Sequence, residues 1–211
     1  MMTHSTNKQI RLWNRFAPGY AKRPVDDPEA YQVKLDKTAA LMTPEMSVLE
    51  IGCGTGTTAL YHARRVKRID ALDFSPEMIA IARNRAATSD APNVHFHTAS
   101  FEDWSDDHGP YDMLMAHSIL HLVADLDATL THARACLKPG AWFVSSTPCV
   151  RDMSRILALL LPVAGLTQLI PKVTALSALE LQARIRAAGF KIQETWQPAP
   201  SKAVFIIARA V

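Results

Sequence analysis

The sequence predicts an α/β protein, doubly wound around a mostly parallel sheet, and three observations predict it. The apolar run Val48–Ile51 leads straight into three alternate glycines, Gly52, Gly54 and Gly56, and then into the helix-forming Thr57–Leu60; that is the strand, tight turn and helix start of a βα unit. A second apolar run, Ile69–Asp73, ends in an acid and is followed by Ser75-Pro76, an N-cap residue and a first helical position. Further strand-like and helix-like segments then alternate along the chain, the pattern of parallel strands joined by crossover helices.

At 211 residues and 48% hydrophobic composition the chain is long enough for one well-buried domain. Its formal charge of +3 is mild and no Lys/Arg block occurs, so neither nucleic acid nor an anionic membrane is implied as a partner. Cys53, Cys136 and Cys149 form no close pair and no CxxC spacing, which fits a reducing compartment without a disulfide frame or zinc knuckle. Met1–Lys8 is polar, without the apolar centre of a signal peptide, and a cytoplasmic protein is expected.

In chain order, residues 1–42 are expected to form a helical extension preceding the 43–211 domain. Pro18-Gly19 and Pro24 divide it into two helices, about 6–16 and 27–42, the second with Tyr31, Leu35, Thr38 and Leu41/Met42 along one face. Trp13, Phe16 and Tyr20 give the extension an aromatic side. The first strand and glycine turn follow, and a turn of this kind brings backbone N–H groups to the carboxyl edge of the sheet, where a polar cofactor can lie. A dinucleotide fingerprint requires its third glycine where this chain has Thr57, which disfavours an NAD(P)-dependent oxidoreductase. Asp73, at the end of the second strand, is placed to accept hydrogen bonds from both hydroxyls of a ribose. The helix after it buries Met78, Ile79 and Ala82.

Asn93–Thr98 reads as a third strand with His95 and His97 on one face; no acid or cysteine pattern completes a metal set, so no metal is expected. Pro110–Ala116 is a fourth strand, left through His117-Ser118-Ile119-Leu120-His121. Strand-end loops of such sheets hold the chemistry. His117 and His121 are four apart and share a face on a helical turn; His121 is the preferred candidate general base, and His117 either a base or a cofactor contact. Ala124–Leu137 is an amphipathic helix with Leu126, Leu130, Ala133 and Leu137 on one face, stopped by Lys138-Pro139-Gly140, and Ala141–Ser146 is the fifth strand. An apolar insertion over about 151–172 contains Ile156–Ile170, and Pro162, Gly165 and its length argue against a membrane span. It reads as a wall over a substrate pocket, with a dimer face or a surface resting on membrane as the alternatives. Ser177–Ala188 is a last helix with apolar Leu179, Leu181 and Ile185, stopped by Gly189, and Phe190–Trp196 with Lys202–Arg209 is a terminal hairpin.

Glu50-x-Gly52-x-Gly54-x-Gly56 resembles motif I of the class I S-adenosylmethionine-dependent methyltransferases, and Val48–Leu60 the form found in the small-molecule branch related to quinone-biosynthesis methyltransferases. Tyr20–Pro24, Asp73, the His/Ser exit from the fourth strand and Leu137–Gly140 resemble the same family. The resemblance implies a Rossmann-like seven-stranded sheet of order 3-2-1-4-5-7-6, an N-terminal lid, S-adenosyl-L-methionine as cofactor and S-adenosyl-L-homocysteine as product. It implies a cofactor set of Gly52, Cys53, Gly54 and Gly56 by their backbone, Glu50 holding the loop, Asp73 on the ribose, and Phe74 or Met78 beside the adenine. Ser100, Phe101 and Glu102 stand where the family binds the adenine amino group, with backbone contact at Phe101 and Glu102 as the acid. Ala116 and His117 flank the methionine part, and Tyr20 faces the site from the lid. The activity implied is methyl transfer to a small, hydrophobic or aromatic acceptor, by a monomer or a homodimer. A non-catalytic protein that retains the cofactor fold is the alternative.

Overall fold

The apolar runs become strands β1 (Ser47–Ile51), β2 (Arg68–Asp73), β3 (Val94–Thr98), β4 (Tyr111–His117), β5 (Leu137–Thr147), β6 (Phe190–Trp196) and β7 (Val204–Ala210). The computed structural model describes residues 4–105, 109–154, 160, 171 and 173–211. The strands form one sheet in the order β3-β2-β1-β4-β5-β7-β6, as expected. β1–β2, β2–β3 and β4–β5 are parallel, and β7 runs antiparallel to β5 and β6. By compactness the chain divides into two units, Met1–Ser105 and Asp106–Val211.

In the first unit Val48, Leu49, Ile51, Ile69, Ala71 and Leu72 are at most 1% exposed, each larger side chain contributing roughly 1.5–3 kcal/mol. Helix α1 spans His4–Lys22, α2 Pro28–Ala39, α3 Thr57–His62 and α4 Pro76–Ala87. The expected break at Pro18-Gly19 is absent: α1 continues through Pro18. Proline removes one backbone donor and crowds the carbonyl four residues back. Against that, Ala17 is fully buried, Trp13 meets Phe16 and Tyr20 edge-on at 6.2 and 6.4 Å, and α1 packs on α4. Packing outweighs the local breaker. α2 starts where Asp27 accepts from Ala30 N at 3.1 Å, with Pro28 in the first turn, and buries Ala30, Leu35 and Thr38. It stops at Ala39 rather than 42, because Leu41 and Met42 turn back to the carbonyls of Thr38 and Ala39. α4 is capped by Ser75, whose hydroxyl accepts from Met78 N, and buries Met78, Ile79 and Ala82.

In the second unit β4 leads to α5 (Leu126–Ala135), capped by Asp125 and burying Leu126, Thr129, Leu130 and Ala133. β5 begins at Leu137, ahead of the expected Ala141. Leu137 already pairs with Tyr111, and the register then slips so that Trp142 faces Met113, Lys138–Gly140 bulging between. A short α6 (Val150–Met153) follows, then α7 (Ala178–Ala187), opened by a capping box between Ser177 and Glu180. Leu181 and Ile185 are buried, whereas Leu179 is 79% exposed, being two residues from Leu181 and hence on the other side of the helix. Gly189 at φ +86° ends α7 as expected. The expected apolar wall, Ile156–Ile170, lies outside the described residues save Leu160. Among the described residues no helix is long and apolar enough to cross a membrane.

Candidate functional site

The glycine turn is built from the strand outward. Cys53 N donates to Leu72 O at 2.9 Å, which ties the turn to β2, and Gly56 N donates to Cys53 O at 3.0 Å. Gly52, Gly54 and Gly56 have φ of +64°, +54° and +78°. At Gly56 a Cβ would stand 2.7 Å from the Phe96 ring and 3.0 Å from Ala82, so glycine is required there by packing as well as by φ. Cys53 is buried, its Sγ near Gly54 O at 3.8 Å, and burial holds its thiol well above the usual pKa. It is a wall of the turn, contributing backbone rather than a nucleophile.

Asp73 closes the cradle. Its Oδ2 accepts from Gly54 N at 3.0 Å and its Oδ1 from Ser75 N at 2.8 Å, fixing the carboxylate at the loop with lone pairs left for two hydroxyl donors. Burial raises its pKa, and the two backbone bonds offset part of that rise. Glu50 is 2% exposed, and burial pushes its pKa up to about 8, against a bond from Ala59 N and with the Asp73 charge adding to the rise. Glu50 thus meets the first turn of α3 at Ala59 N, and its Oε2 has no partner among the described residues. Tyr20 brings its ring over the turn, its Cε1 3.8 Å from where a Gly54 Cβ would be. Partial burial, then the Asp73 and Glu50 carboxylates, raise its phenol above the usual value.

Phe74 is half-buried, while Met78 is 2% exposed on the inner face of α4. Ser100 is buried and donates its hydroxyl to Glu102, whose side chain is exposed. Two residues without a motif take part: Asn14 of α1 accepts from Ser75 Oγ at 2.7 Å, and Thr58 bonds the Tyr31 hydroxyl at 3.1 Å. Nothing local in the sequence pointed to either contact, since each joins positions far apart in the chain. His97 is engaged at 2.8 Å by Asp70, which Arg68 grips with two bonds of 2.7 and 2.8 Å. Burial would raise Asp70, but the Arg68 and His97 bonds outweigh it and leave its pKa lowered.

In the second unit Ala116 is fully buried, and the His117 ring stacks parallel to Phe205 at 6.4 Å. The helical turn expected to join His117 and His121 does not form. Ser118 takes φ +55° and donates to Ser146 O at 2.7 Å, so the sheet bonding extends one residue and the chain then turns sharply. His121 O accepts from Thr174 N at 2.8 Å. Burial lowers the His121 pKa to about 4, and its Nδ1 has no partner among the described residues. Cys149 is buried with its Sγ toward Thr147 O at 3.6 Å, and burial pushes its pKa to about 12, in keeping with a wall residue.

The cradle fits S-adenosylmethionine on its own features: a carboxylate fixed at a strand end for ribose hydroxyls, an unsatisfied Glu50 oxygen for an ammonium donor, and glycines that let a ligand approach the backbone. The family described as "Methyltransferase domain" matches residues 25–195. The chain belongs to that family. The ubiquinone biosynthesis O-methyltransferase of Xanthomonas campestris pv. campestris (strain B100) is 30% identical over 173 residues, which are 77% of this chain and 70% of that one. The hybrid PKS-NRPS synthetase mpsA of Macrophomina phaseolina (strain MS6) is 33% identical over 121 residues, 52% of this chain but 3% of the synthetase. In fold the methyltransferase resembles the DhpI–SAH complex, with TM-score 0.76, 21% identity and 99% and 98% of the two chains covered. It also resembles the N-methyltransferase NodS of Bradyrhizobium japonicum WM9 bound to S-adenosyl-L-homocysteine, with TM-score 0.73, 16% identity and 97% and 98% covered. The cofactor of this methyltransferase is thus S-adenosylmethionine, which supplies an electrophilic methyl group on a sulfonium. Of the residues expected to hold it, Asp73 stands at the turn with both oxygens bonded to backbone N–H groups, Glu50 keeps an unpartnered Oε2, and Tyr20 lies over Gly54.

Proposed function

We propose that this methyltransferase acts on a small, hydrophobic or aromatic acceptor carrying an acidic hydroxyl of the phenol or enol kind, with α1 as a lid over the cofactor. The observation that carries the reading is the neutral, half-buried His121 with a buried, unsatisfied Nδ1, on the loop that follows β4. A methyl transfer to oxygen needs alignment first and a proton acceptor only as the bond forms. An imidazole with a pKa of about 4 is a weak base, matched to a hydroxyl that ionises readily rather than to an aliphatic alcohol. The ubiquinone O-methyltransferase relatives, aligned over 77% of the chain, support oxygen as the acceptor atom. The cofactor reading for Ser100, Phe101 and Glu102, and for Ala116 and His117, belongs to the same proposal.

The test is S-adenosyl-L-homocysteine formation with a panel of phenols, catechols, aliphatic alcohols, amines and thiols at equal concentration. Turnover is expected with hydroxylated aromatics. Turnover confined to amines or thiols overturns the acceptor, and cofactor binding without any turnover overturns the catalytic reading.

A further inference from the structure

Arg85 belongs to no motif, yet its guanidinium touches two parts of the first unit at once. From the last turn of α4, Nη1 lies 3.2 Å from Thr55 O, 2.6 Å from Thr55 Oγ1 and 2.9 Å from Thr57 Oγ1. Nη2 donates to Ala21 O at 2.9 Å. One nitrogen thus grips the glycine turn and the other the end of α1. Ala21 is one residue from the end of that helix, where carbonyls have no intrahelical donor and a cation is favoured by the helix dipole. The planar fork holds both sets in one fixed geometry, which a lysine ammonium cannot reproduce. α1 is fastened a second time where Ser75 Oγ donates to Asn14 Oδ1 at 2.7 Å, while Ser75 N holds Asp73. Tyr20, next to Ala21, is the residue whose ring overlies Gly54.

We propose that Arg85 is a positioning residue that couples the glycine turn to the N-terminal helix, so that the cofactor-ready turn and the seating of Tyr20 over Gly54 are made or lost together. The proposal rests on S-adenosylmethionine being the ligand of that turn. Distortion of the turn withdraws the acceptors that place Nη1, and the same plane then carries Nη2 away from Ala21. Conversely, an undocked α1 leaves the guanidinium free to leave Thr55 and Thr57.

Amide hydrogen exchange on the full chain, with and without S-adenosyl-L-homocysteine, tests this in wild type, Arg85→Lys and Arg85→Ala. In wild type the ligand is expected to slow exchange in both 52–58 and 17–22. In either variant, exchange over 17–22 and 54–58 of the ligand-free protein should rise about tenfold, the effect of losing hydrogen bonds to a charged group. Saturating ligand should then slow exchange in 52–58 while leaving 17–22 fast. Arg85→Lys keeps the charge and serves if Arg85→Ala does not fold. Wild-type behaviour of 17–22 in the variants overturns the coupling, as does faster exchange throughout both units, which marks a merely structural role. Failure of the wild type to bind the ligand retires the cofactor reading instead, and the ligand-free arm still decides the coupling: the two segments loosening together supports it, and one alone overturns it.

Discussion

Asp73 and His121 are both half-buried ionisable groups just beyond or at a strand end, yet they are held in opposite ways. Both Asp73 oxygens are engaged by backbone N–H groups of Gly54 and Ser75, so its position is set before any ligand arrives. His121 is fixed by its own backbone carbonyl to Thr174, and its ring Nδ1 has no partner among the described residues. Ser145 Oγ and Thr147 Oγ1, buried near the end of β5, share that condition. Asp73 is thus organised by the chain itself, whereas His121 and the two β5 hydroxyls, like Glu50 Oε2 in the first unit, keep polar atoms whose satisfaction depends on what else is present. Substitutions on the first side should therefore change affinity, and on the second side rate.

The largest effect should come from Asp73→Ala. Two hydrogen bonds to a charged acceptor, each worth roughly 1.5–3 kcal/mol, amount to a hundredfold or greater loss of affinity. Calorimetry with S-adenosyl-L-homocysteine measures it, and Asp73→Asn separates charge from shape. Affinity within a few-fold of wild type would remove Asp73 from the ribose position. His121→Gln should be the next largest: a kcat lower by about a hundredfold with ligand affinity unchanged. With the His121 pKa at about 4, the imidazole is already neutral above pH 5, so kcat should stay level from neutral pH down to about 5 and fall through 4. An acid limb near 6.5 instead would show a base in ordinary solvent contact and erase the contrast.

The half held by backbone was also the half legible in the sequence. Gly52, Gly54, Gly56, Asp73 and the Ser75 cap were readable because a turn, a strand end and a cap are local chemistry, specified within a few residues. The strand order followed from resemblance. What was not readable depended on distant partners. α1 continues through Pro18 because packing against α4 overrides a local breaker, and Asn14 meets Ser75 across 61 positions of chain. His117 and His121 were expected on one helical turn, and a single positive φ at Ser118 separates them. The slip that starts β5 at Leu137 depends on its partner strand, so the sequence of β5 alone could not display it.

Glu50 sharpens the comparison through pH. Its folded pKa of about 8 stands above the ordinary 4.5 because of burial, so the folded state holds the proton more tightly than the unfolded chain. The stability this confers is complete below about 4.5, declines as pH rises, and is lost through about 8. Melting temperature of the ligand-free protein should accordingly fall between pH 5 and 8, and Glu50→Gln should flatten that fall. His121 works in the other direction: its pKa is depressed, so its contribution is present above 6.5 and is lost as pH falls through about 4. The two slopes overlap little above pH 6.5, where Glu50 alone should set the trend. A melting temperature that rises from pH 6.5 to 8 would contradict the buried, protonated Glu50.

The smallest effect belongs to Glu102, which tests how far the chain's own organisation extends along the cofactor side. Its carboxylate is exposed and already accepts from the buried Ser100 hydroxyl, so it is held in place but surrounded by water. A hydrogen bond from an adenine amino group to such a carboxylate is worth about 1 kcal/mol, and Glu102→Ala should weaken S-adenosyl-L-homocysteine binding by about fivefold. Glu102→Gln retains an acceptor oxygen and should recover most of that loss. An unchanged dissociation constant in both variants would leave adenine recognition to the backbone at Phe101. The preorganised region would then end at Asp73 and Phe74, and the bond from Ser100 would serve only to close the short turn at Phe101–Asp103.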